Sequence, residues 1–395
     1  MTTKTIHLEG LLHAAEHVLG DAARPVPLHE PCFGGREKEY TSQCIDTGWV
    51  SSVGSFVERF ERELANYTGA KYAVVTSSGT SALHLALKLA GVRDGDEVIV
   101  PALTFVATAN AASYCGAVPH LADSETATLG LDAGKLDDHL KRIAERRDND
   151  VYNLISTRRI AAIVPMHTFG HPVNLDALLE VARRWGLPVV EDAAESLGSF
   201  YHGRHTGTFG LMGTLSFNGN KIITTGGGGA ILTNDESIAR QAKHLSSTAK
   251  QPHDWAFEHD EVGFNYRMPN LNAALGCGQI EQLPAFVEAK RALAAKYVEA
   301  FNDVQGAGVF TPPAGCESNY WLNTLLLDDA DAAMRDELLA ALHARGILAR
   351  PAWKPMHRLS MYDRVPRMNL ATADALAKRI INLPSSVRLA PKGRP

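Results

Sequence analysis

Gly213-Thr-Leu-Ser-Phe-Asn-Gly-Asn-Lys-Ile-Ile-Thr-Thr-Gly-Gly-Gly-Gly229 decides how this chain is read. Lys221 stands between a strand-like stretch and a run of glycines, with Ser216 five positions before it. Its flanks, Leu215, Phe217, Ile222 and Ile223, are apolar, and apolar surroundings help an amine lose its proton and act as a nucleophile. Gly226 to Gly229 let backbone pass close to a bound group. Taken alone, a lysine near glycines is an ordinary solvated side chain. A nucleotide P-loop is excluded, because no GxxxxGK[ST] pattern occurs.

Two upstream stretches change that reading. Val189-Val-Glu-Asp-Ala-Ala-Glu-Ser196 is an apolar strand ending in an acidic pair. The carboxyl end of an α/β strand is where ligands bind, which favours Asp192, with Glu195 one helical turn further on. In isolation such an acid is as readily a cap or an ion-pair partner. Thr76-Ser-Ser-Gly-Thr-Ser-Ala-Leu-His84 places Ser78, Gly79, Thr80 and Ser81 at a strand-to-helix junction. Helix N-termini offer free N–H groups and the positive end of a dipole, which suits phosphate, although Ser78 or Thr80 also reads as a plain N-cap. An amine, a strand-end carboxylate and a phosphate cradle together fit pyridoxal phosphate (PLP). Lys221 would form the Schiff base, and Asp192 would keep the ring nitrogen protonated so that the ring accepts carbanion electrons.

Outward from these stretches, strand and helix alternate. Strands are expected at Tyr72–Thr76, Glu97–Val100, Val118–Leu121, Ile160–Val164, Val189–Glu191 and Ala230–Thr233. Helices are expected at Gly79–Leu89, Thr104–Tyr114, Leu136–Arg146, Leu175–Trp185 and Ser237–Leu245. Short apolar strands separated by helices predict a mostly parallel sheet covered on both faces. Ser246 to Arg267 reads as a structured loop, and Asn270 to Phe301 as a long helix broken near Pro284. From Thr311 on, the pattern predicts a smaller α+β domain.

The 395 residues suit two or three domains, and the net charge of -5 comes with no basic stripe for nucleic acid. The cysteines Cys32, Cys44, Cys115, Cys277 and Cys316 are scattered and form no CxxC pair, as expected in a reducing cytoplasm. Ile6 to Leu19 is interrupted by Glu9, His13, Glu16 and His17, so it reads as an amphipathic helix and not as a signal peptide. Val98 to Pro119 carries no charge and is long enough for a membrane span. Pro101, Thr104, Thr108, Asn110 and Ser113 break it into strand, turn, helix and strand. His167 and His171 are four apart, but the surrounding prolines and Gly170 argue against one helix carrying both, and no metal site is expected.

In combination these stretches resemble the sugar-nucleotide aminotransferases, a branch of the fold type I PLP enzymes, from about Ile6 to Arg388. The resemblance implies a seven-stranded, mostly parallel sheet in a three-layer α/β/α large domain. It divides the chain into an N-terminal helical extension (1–25), the large PLP-binding domain (26–285) and a small α+β domain (286–395). It implies that Ser78 to Ser81 and Ser216 hold the cofactor phosphate, Phe105 stacks on the ring, Asp192 meets the ring nitrogen and Lys221 carries the cofactor. Glu195 would approach the ring hydroxyl, at a position that is often glutamine or histidine in the family. Gly263-Phe-Asn-Tyr-Arg267 resembles the segment that crosses a homodimer interface, with Asn265 reaching the partner's phosphate. Some relatives are dehydratases with histidine in place of the lysine, so Lys221 favours transamination from L-glutamate.

A finer resemblance, to enzymes that aminate C4 of UDP-linked 4-keto-6-deoxy-N-acetylhexosamines on bacillosamine and legionaminic acid routes, rests on several segments. These are Pro27-Leu-His-Glu-Pro31, Cys44 to Gly54, Asn319-Tyr-Trp-Leu-Asn323 and Arg350 to His357. Trp49, Ser51, His253, Arg267, Trp321, Trp353 and Lys354 are the candidate substrate contacts, each equally readable as packing or as solvated surface. GDP-perosamine-type and dTDP-keto-sugar aminotransferases share this layout, and a non-catalytic PLP- or sugar-nucleotide-binding protein is the alternative from another class.

Overall fold

The computed structural model describes residues 2–329 and 331–390; positions 391–395 of the C-terminal span and the side chains of residues 2–7, Ile6 among them, lie outside that description. Seven strands form the central sheet: β1 (Tyr72–Thr76), β2 (Glu97–Pro101), β3 (Val118–Ala122), β4 (Arg159–Ile163), β5 (Val190–Asp192), β6 (Met212–Ser216) and β7 (Gly229–Thr233). One hydrogen-bonded set runs β1-β7-β6-β5, and the other contains β3-β2-β4. Parallel bridges at Ile163–Val189 and Met166–Asp192 join them into one sheet. β7 runs antiparallel to β1 and β6, and the remaining neighbours are parallel. This is the expected mostly parallel, seven-stranded α/β sheet.

The side-chain alternation of a strand creates the three layers. Val74 and Ile231 join a core with Leu83, Leu87 and Ala109. Their neighbours Ala73, Val75, Ala230 and Leu232 point the other way, onto Phe60, Leu64, Ala273 and Cys277 of helices Ser55–Thr68 and Asn270–Ile280. Val98 to Pro119 is strand, turn, helix and strand, and no described helix is long and apolar enough to cross a membrane.

Two boundaries depart from the sequence expectation. The helix expected over Leu136–Arg146 spans Ala133–Ile143, because Asp132 caps it early by accepting from Lys135 N–H (2.9 Å). The chain then forms a hairpin, Ala144–Arg147 with Asp150–Asn153, whose second strand pairs with β4 through Val151–Ile160. Glu145, Arg146 and Arg147 are good helix formers, but here they make a charged, exposed edge strand. The helix expected from Thr104 begins at Val106, with Phe105 extended before it.

Asn270–Ile280 and Leu283–Phe301 are separate helices, with Pro284 in the first turn of the second, where its missing N–H costs nothing. The sequence-based division between 285 and 286 falls inside that second helix. Leu11, Leu12, Ala15 and Val18 of the first helix pack on Leu293, Tyr297, Leu338 and Leu342, so the N-terminal helix shares a core with C-terminal elements. There an antiparallel sheet runs Ala307–Val309, Asn323–Leu327, Ile380–Leu383, Arg350–Pro351.

Three buried histidines make the fold acid-sensitive. Burial pushes His139 down to about 4, His171 to about 3 and His205 to about 4. Their unfolded value is near 6.5, so below it the unfolded chain binds more protons than the folded one. Stability is therefore full above about pH 6.5 and falls as pH drops toward 4. Among the described residues neither ring nitrogen of His171 has a hydrogen-bond partner, and the ring lies edge-on to Phe310 and Tyr320. His171→Phe is expected to add about 1 kcal/mol at pH 7 and to flatten the acid side of the melting curve. Melting temperatures between pH 7.5 and 4.5 check this, and a variant less stable at pH 7 contradicts it.

Candidate active site

A cavity of about 360 Å³ opens at the carboxyl ends of the central strands. Its wall carries Ser78, Gly79, Thr80, Phe105, Asp192, Glu195, Ser216, Lys221, Trp321 and Trp353. Residues from distant parts of the sequence thus converge in a volume suited to a small molecule. A larger depression of about 720 Å³, between Leu11, Val304, Leu327 and Met334, shares no lining residue with it and gathers none of this chemistry.

The helix Gly79–Leu89 begins at the cavity. Ser78 Oγ accepts from Ser81 N–H (3.0 Å), and Ser81 Oγ accepts from Ser78 N–H (3.0 Å), so both hydroxyls form a capping box. Ser81 accordingly holds the helix end and does not line the cavity. The first N–H groups, of Gly79 and Thr80, have no intrahelical acceptor and sit at the positive end of the helix. A Cβ on Gly79 would stand 2.8 Å from Ser216 Cβ, so glycine is what lets the helix start and the end of β6 share one cradle.

Strand alternation separates the two acids of β5. Glu191 is fully buried away from the cavity, where Gly207, Phe209 and Gly210 N–H groups donate to it at 2.6–2.7 Å. His167 Nδ1 accepts from Val173 N–H (3.2 Å), so its Nε2–H donates to Glu191 (3.1 Å). Burial alone would push the Glu191 carboxyl up, but His167 and the N–H donors hold it below its usual value. Asp192 faces the cavity. Thr108 Oγ1 donates to its Oδ2 (2.7 Å) and Ala194 N–H to its Oδ1 (3.2 Å). Thr108 in turn lies 2.8 Å from Thr104 Oγ1, which fixes the rotor. Burial pushes the Asp192 carboxyl up, opposed by those donors and by Lys221.

Lys221 closes the site. Its loop folds back on itself through Lys221 N–H to Asn218 O (2.9 Å) and Phe217 N–H to Gly228 O (2.8 Å). Phe217, Ile222 and Ile223 are buried as expected. The nitrogen itself, however, meets a carboxylate and an aromatic face: Glu195 Oε1 at 3.2 Å and the Trp321 ring at 3.9 Å. Glu195 also accepts from Phe169 N–H (2.9 Å), and burial pushes its carboxyl up to about 7 against the pull of Lys221. Trp353 stacks on Phe169 (4.6 Å between centroids) and approaches Phe105 (6.4 Å), giving the cavity an aromatic wall.

The remaining sequence candidates lie elsewhere. Trp49 and Ser51 are exposed on a loop held by Asn270, which donates from Nδ2 to Trp49 O (2.7 Å) and from N to Ser51 O (2.6 Å). Arg267 lines a separate cavity beside Glu61 and Lys243, exposed Asn265 bridges Ser247, and Lys354 faces solvent beside Trp353. His253 caps its own exposed turn, accepting from Ala256 N–H (3.0 Å). His167 bonds to Glu191 and Val173, whereas His171 lies edge-on to Phe310 and Tyr320. Sequence reasoning passed over Thr108 and Phe169, and nothing in their local pattern marks them.

The pattern of the DegT/DnrJ/EryC1/StrS aminotransferase family matches residues 31–393. This chain belongs to that family. It is 39% identical over 366 residues to the GDP-perosamine synthase of Caulobacter vibrioides, covering 92% of this chain and 94% of the relative. The aminotransferase TlmJ from Streptoalloteichus hindustanus superposes with a TM-score of 0.81 at 31% identity, over 91% of this chain and 93% of that one. Helicobacter pylori PseC, an aminotransferase involved in pseudoaminic acid biosynthesis, superposes with a TM-score of 0.82 at 26% identity, over 91% and 93%. The protein is a sugar aminotransferase of this family, and the family's cofactor is PLP. The cavity fits that group: Gly79 leaves the space a phosphate needs beside Ser216, a buried carboxylate awaits a cationic partner, and an amine stands within the same wall.

Proposed function

We propose that the protein moves an amino group from L-glutamate to C4 of a nucleotide-linked 4-keto-6-deoxy sugar, most consistently a UDP-linked 2-acetamido-2,6-dideoxy-4-keto-hexose, for a bacterial surface glycan or nonulosonic acid. The observation that carries the reading is one amine, Lys221, in the same cavity wall as Asp192, Ser216 and the Gly79–Thr80 helix start. The Gly79 and Thr80 N–H groups and Ser216 would hold the cofactor phosphate, with Phe105 against the ring. PLP supplies an aldehyde for imine formation and a ring that takes up the electron pair left when a Cα proton departs. Asp192, aimed by Thr108 and Ala194, holds the proton on the ring nitrogen. Lys221 Nζ would take the proton from the donor's Cα and would later deliver one to the sugar carbon. Glu195 and Trp321 hold that amine in place between transfers. One site serving both substrates in turn gives ping-pong kinetics.

The subgroup assignment rests on the resemblance of Pro27 to Pro31, Cys44 to Gly54, Asn319 to Asn323 and Arg350 to His357. Leu28 O accepts from Ser385 N–H (2.7 Å), Glu30 N–H donates to Ser386 Oγ (3.0 Å), and Trp321 Nε1–H donates to Asn220 O (2.7 Å) beside Lys221. A GDP-linked substrate is the second reading, favoured by the relative named GDP-perosamine synthase at 39% identity. A panel of UDP-, GDP- and dTDP-linked 4-keto-6-deoxy sugars, scored for glutamate-dependent amino sugar, decides between them. Equal rates on all three would sink the UDP assignment.

We further propose a cytoplasmic homodimer with shared sites. Asn265 is exposed and does not line its own chain's cavity, while Trp49, Trp255, Phe257 and Val262 are 58%, 80%, 80% and 88% exposed. Such a surface fits burial against a second copy.

Gly79→Ala tests the cradle. The added methyl meets Ser216 and pushes the helix start away, so PLP binding should weaken by about 10-fold, or ~1.4 kcal/mol. Fluorescence titration of the apoprotein with PLP reads this, and unchanged affinity would remove Gly79 from the phosphate site.

A further inference from the structure

We infer that Asn319 is a positioning residue that locks the two walls around Lys221 into one unit. The groups bracketing Lys221 Nζ come from different parts of the chain. Glu195 follows β5, and Trp321 precedes the strand Asn323–Leu327. Among the described residues, the Asn319 side chain bonds to both segments. Its Nδ2 donates to Glu195 O (2.9 Å) and to Leu197 O (2.9 Å), and its Oδ1 accepts from Trp321 N–H (2.8 Å).

Both amide hydrogens and the amide oxygen are therefore used, and turning the amide over would set its oxygen against two carbonyls. The bond to Trp321 is an Asx turn, with Tyr320 between them in the left-handed region (φ 46). Asn319 is fully buried, and Ser199 Oγ holds its backbone N–H (2.9 Å).

The neighbours are shaped around this side chain. Gly170 has φ 97, and a Cβ there would collide with Asn319 Oδ1, so no other residue leaves room for the amide. Phe169, also in the left-handed region (φ 56), donates its N–H to Glu195, so the same turn that admits Asn319 aims the carboxylate. Trp321 is pinned at its other end by Lys290 Nζ (3.2 Å) and Ser385 Oγ (2.6 Å), both donating to its carbonyl. Removing the Asn319 side chain keeps the backbone bond to Ser199 and the Ser318–Gly170 bond but removes the amide that joins the Glu195 segment directly to Trp321.

The inference rests on Lys221 being the PLP-bearing residue, and its test separates the two claims. The PLP-loaded protein and its Asn319→Ala, Asn319→Ser and Ser318→Ala variants are followed by visible absorbance from pH 5 to 10, beside their melting temperatures. A neighbouring carboxylate and an indole face both favour a protonated nitrogen, so a loosened Glu195 and Trp321 should lower the absorbance midpoint, by about one unit in Asn319→Ala. Asn319→Ser is too short to span both walls and should shift the same way if the alanine variant does not fold. Ser318 sits in the same joint, donating to Gly170 O (2.9 Å) and accepting from Tyr320 N–H (2.9 Å), and among the described residues its hydroxyl bonds to neither Glu195 nor Trp321. Ser318→Ala should lower the melting temperature without moving the midpoint. A folded Asn319 variant with an unmoved midpoint, or equal shifts in Asn319 and Ser318 variants, would overturn the positioning role while leaving Lys221 intact. A wild-type spectrum unaffected by Lys221→Ala would overturn the lysine assignment and this inference with it.

Discussion

Lys221→Ala is expected to lower turnover by about 10,000-fold while leaving the fold intact. Two roles are proposed for this amine, holding the cofactor covalently and moving the proton, and positioned proton transfer alone is worth about 100- to 10,000-fold. The side chain is 12% exposed, ends on Glu195 and Trp321, and bears little of the hydrophobic core. Alanine leaves Glu195 without its cation, but that carboxyl, already pushed to about 7 by burial, can take a proton instead. Melting temperature should change little, and PLP should still bind through Ser216 and the Gly79–Thr80 helix start. Single-turnover kinetics and mass spectrometry after borohydride reduction check this. Retained turnover, or a covalent adduct on another lysine, would contradict it.

Asp192→Asn is the second large effect. The carboxamide is nearly isosteric, and its oxygen can still accept from Thr108 or Ala194. The negative charge proposed to face the ring nitrogen would be lost, and that nitrogen would no longer be held protonated. Removing one such preorganised electrostatic partner costs about 100- to 1,000-fold in turnover. Affinity for PLP should fall far less, since the phosphate cradle is untouched. An Asn variant with near-normal turnover would mean the ring nitrogen has another partner.

The central strands and the three chemical stretches were legible because their signals are local. Short, mostly apolar runs, a serine-rich helix start and a strand-end acid each carry their own physical reason. Lys221 was legible by combination, but its surroundings were not. The apolar flanks pointed to an apolar pocket, whereas the tip of the side chain meets Glu195 and Trp321, which tertiary folding brings from 26 and 100 residues away. Thr108 was hidden for a similar reason: nothing near it in sequence announces a carboxylate 84 positions on. Glu145 and Arg146 read as the end of a helix, and only pairing with Asp150–Asn153 turns them into a strand. Asn319 was visible only as part of a resemblance, and its three hydrogen bonds explain why an amide belongs there.

The central claim is amino transfer through a PLP-bearing Lys221 to a nucleotide-linked keto sugar. The most direct measurement is the visible spectrum of the PLP-loaded protein during two successive additions. L-glutamate should bleach the visible band, and a UDP-linked 4-keto-6-deoxy-N-acetylhexosamine should then restore it with release of one amino sugar per site. A band that glutamate does not bleach, or that no nucleotide-linked keto sugar restores, would contradict the account.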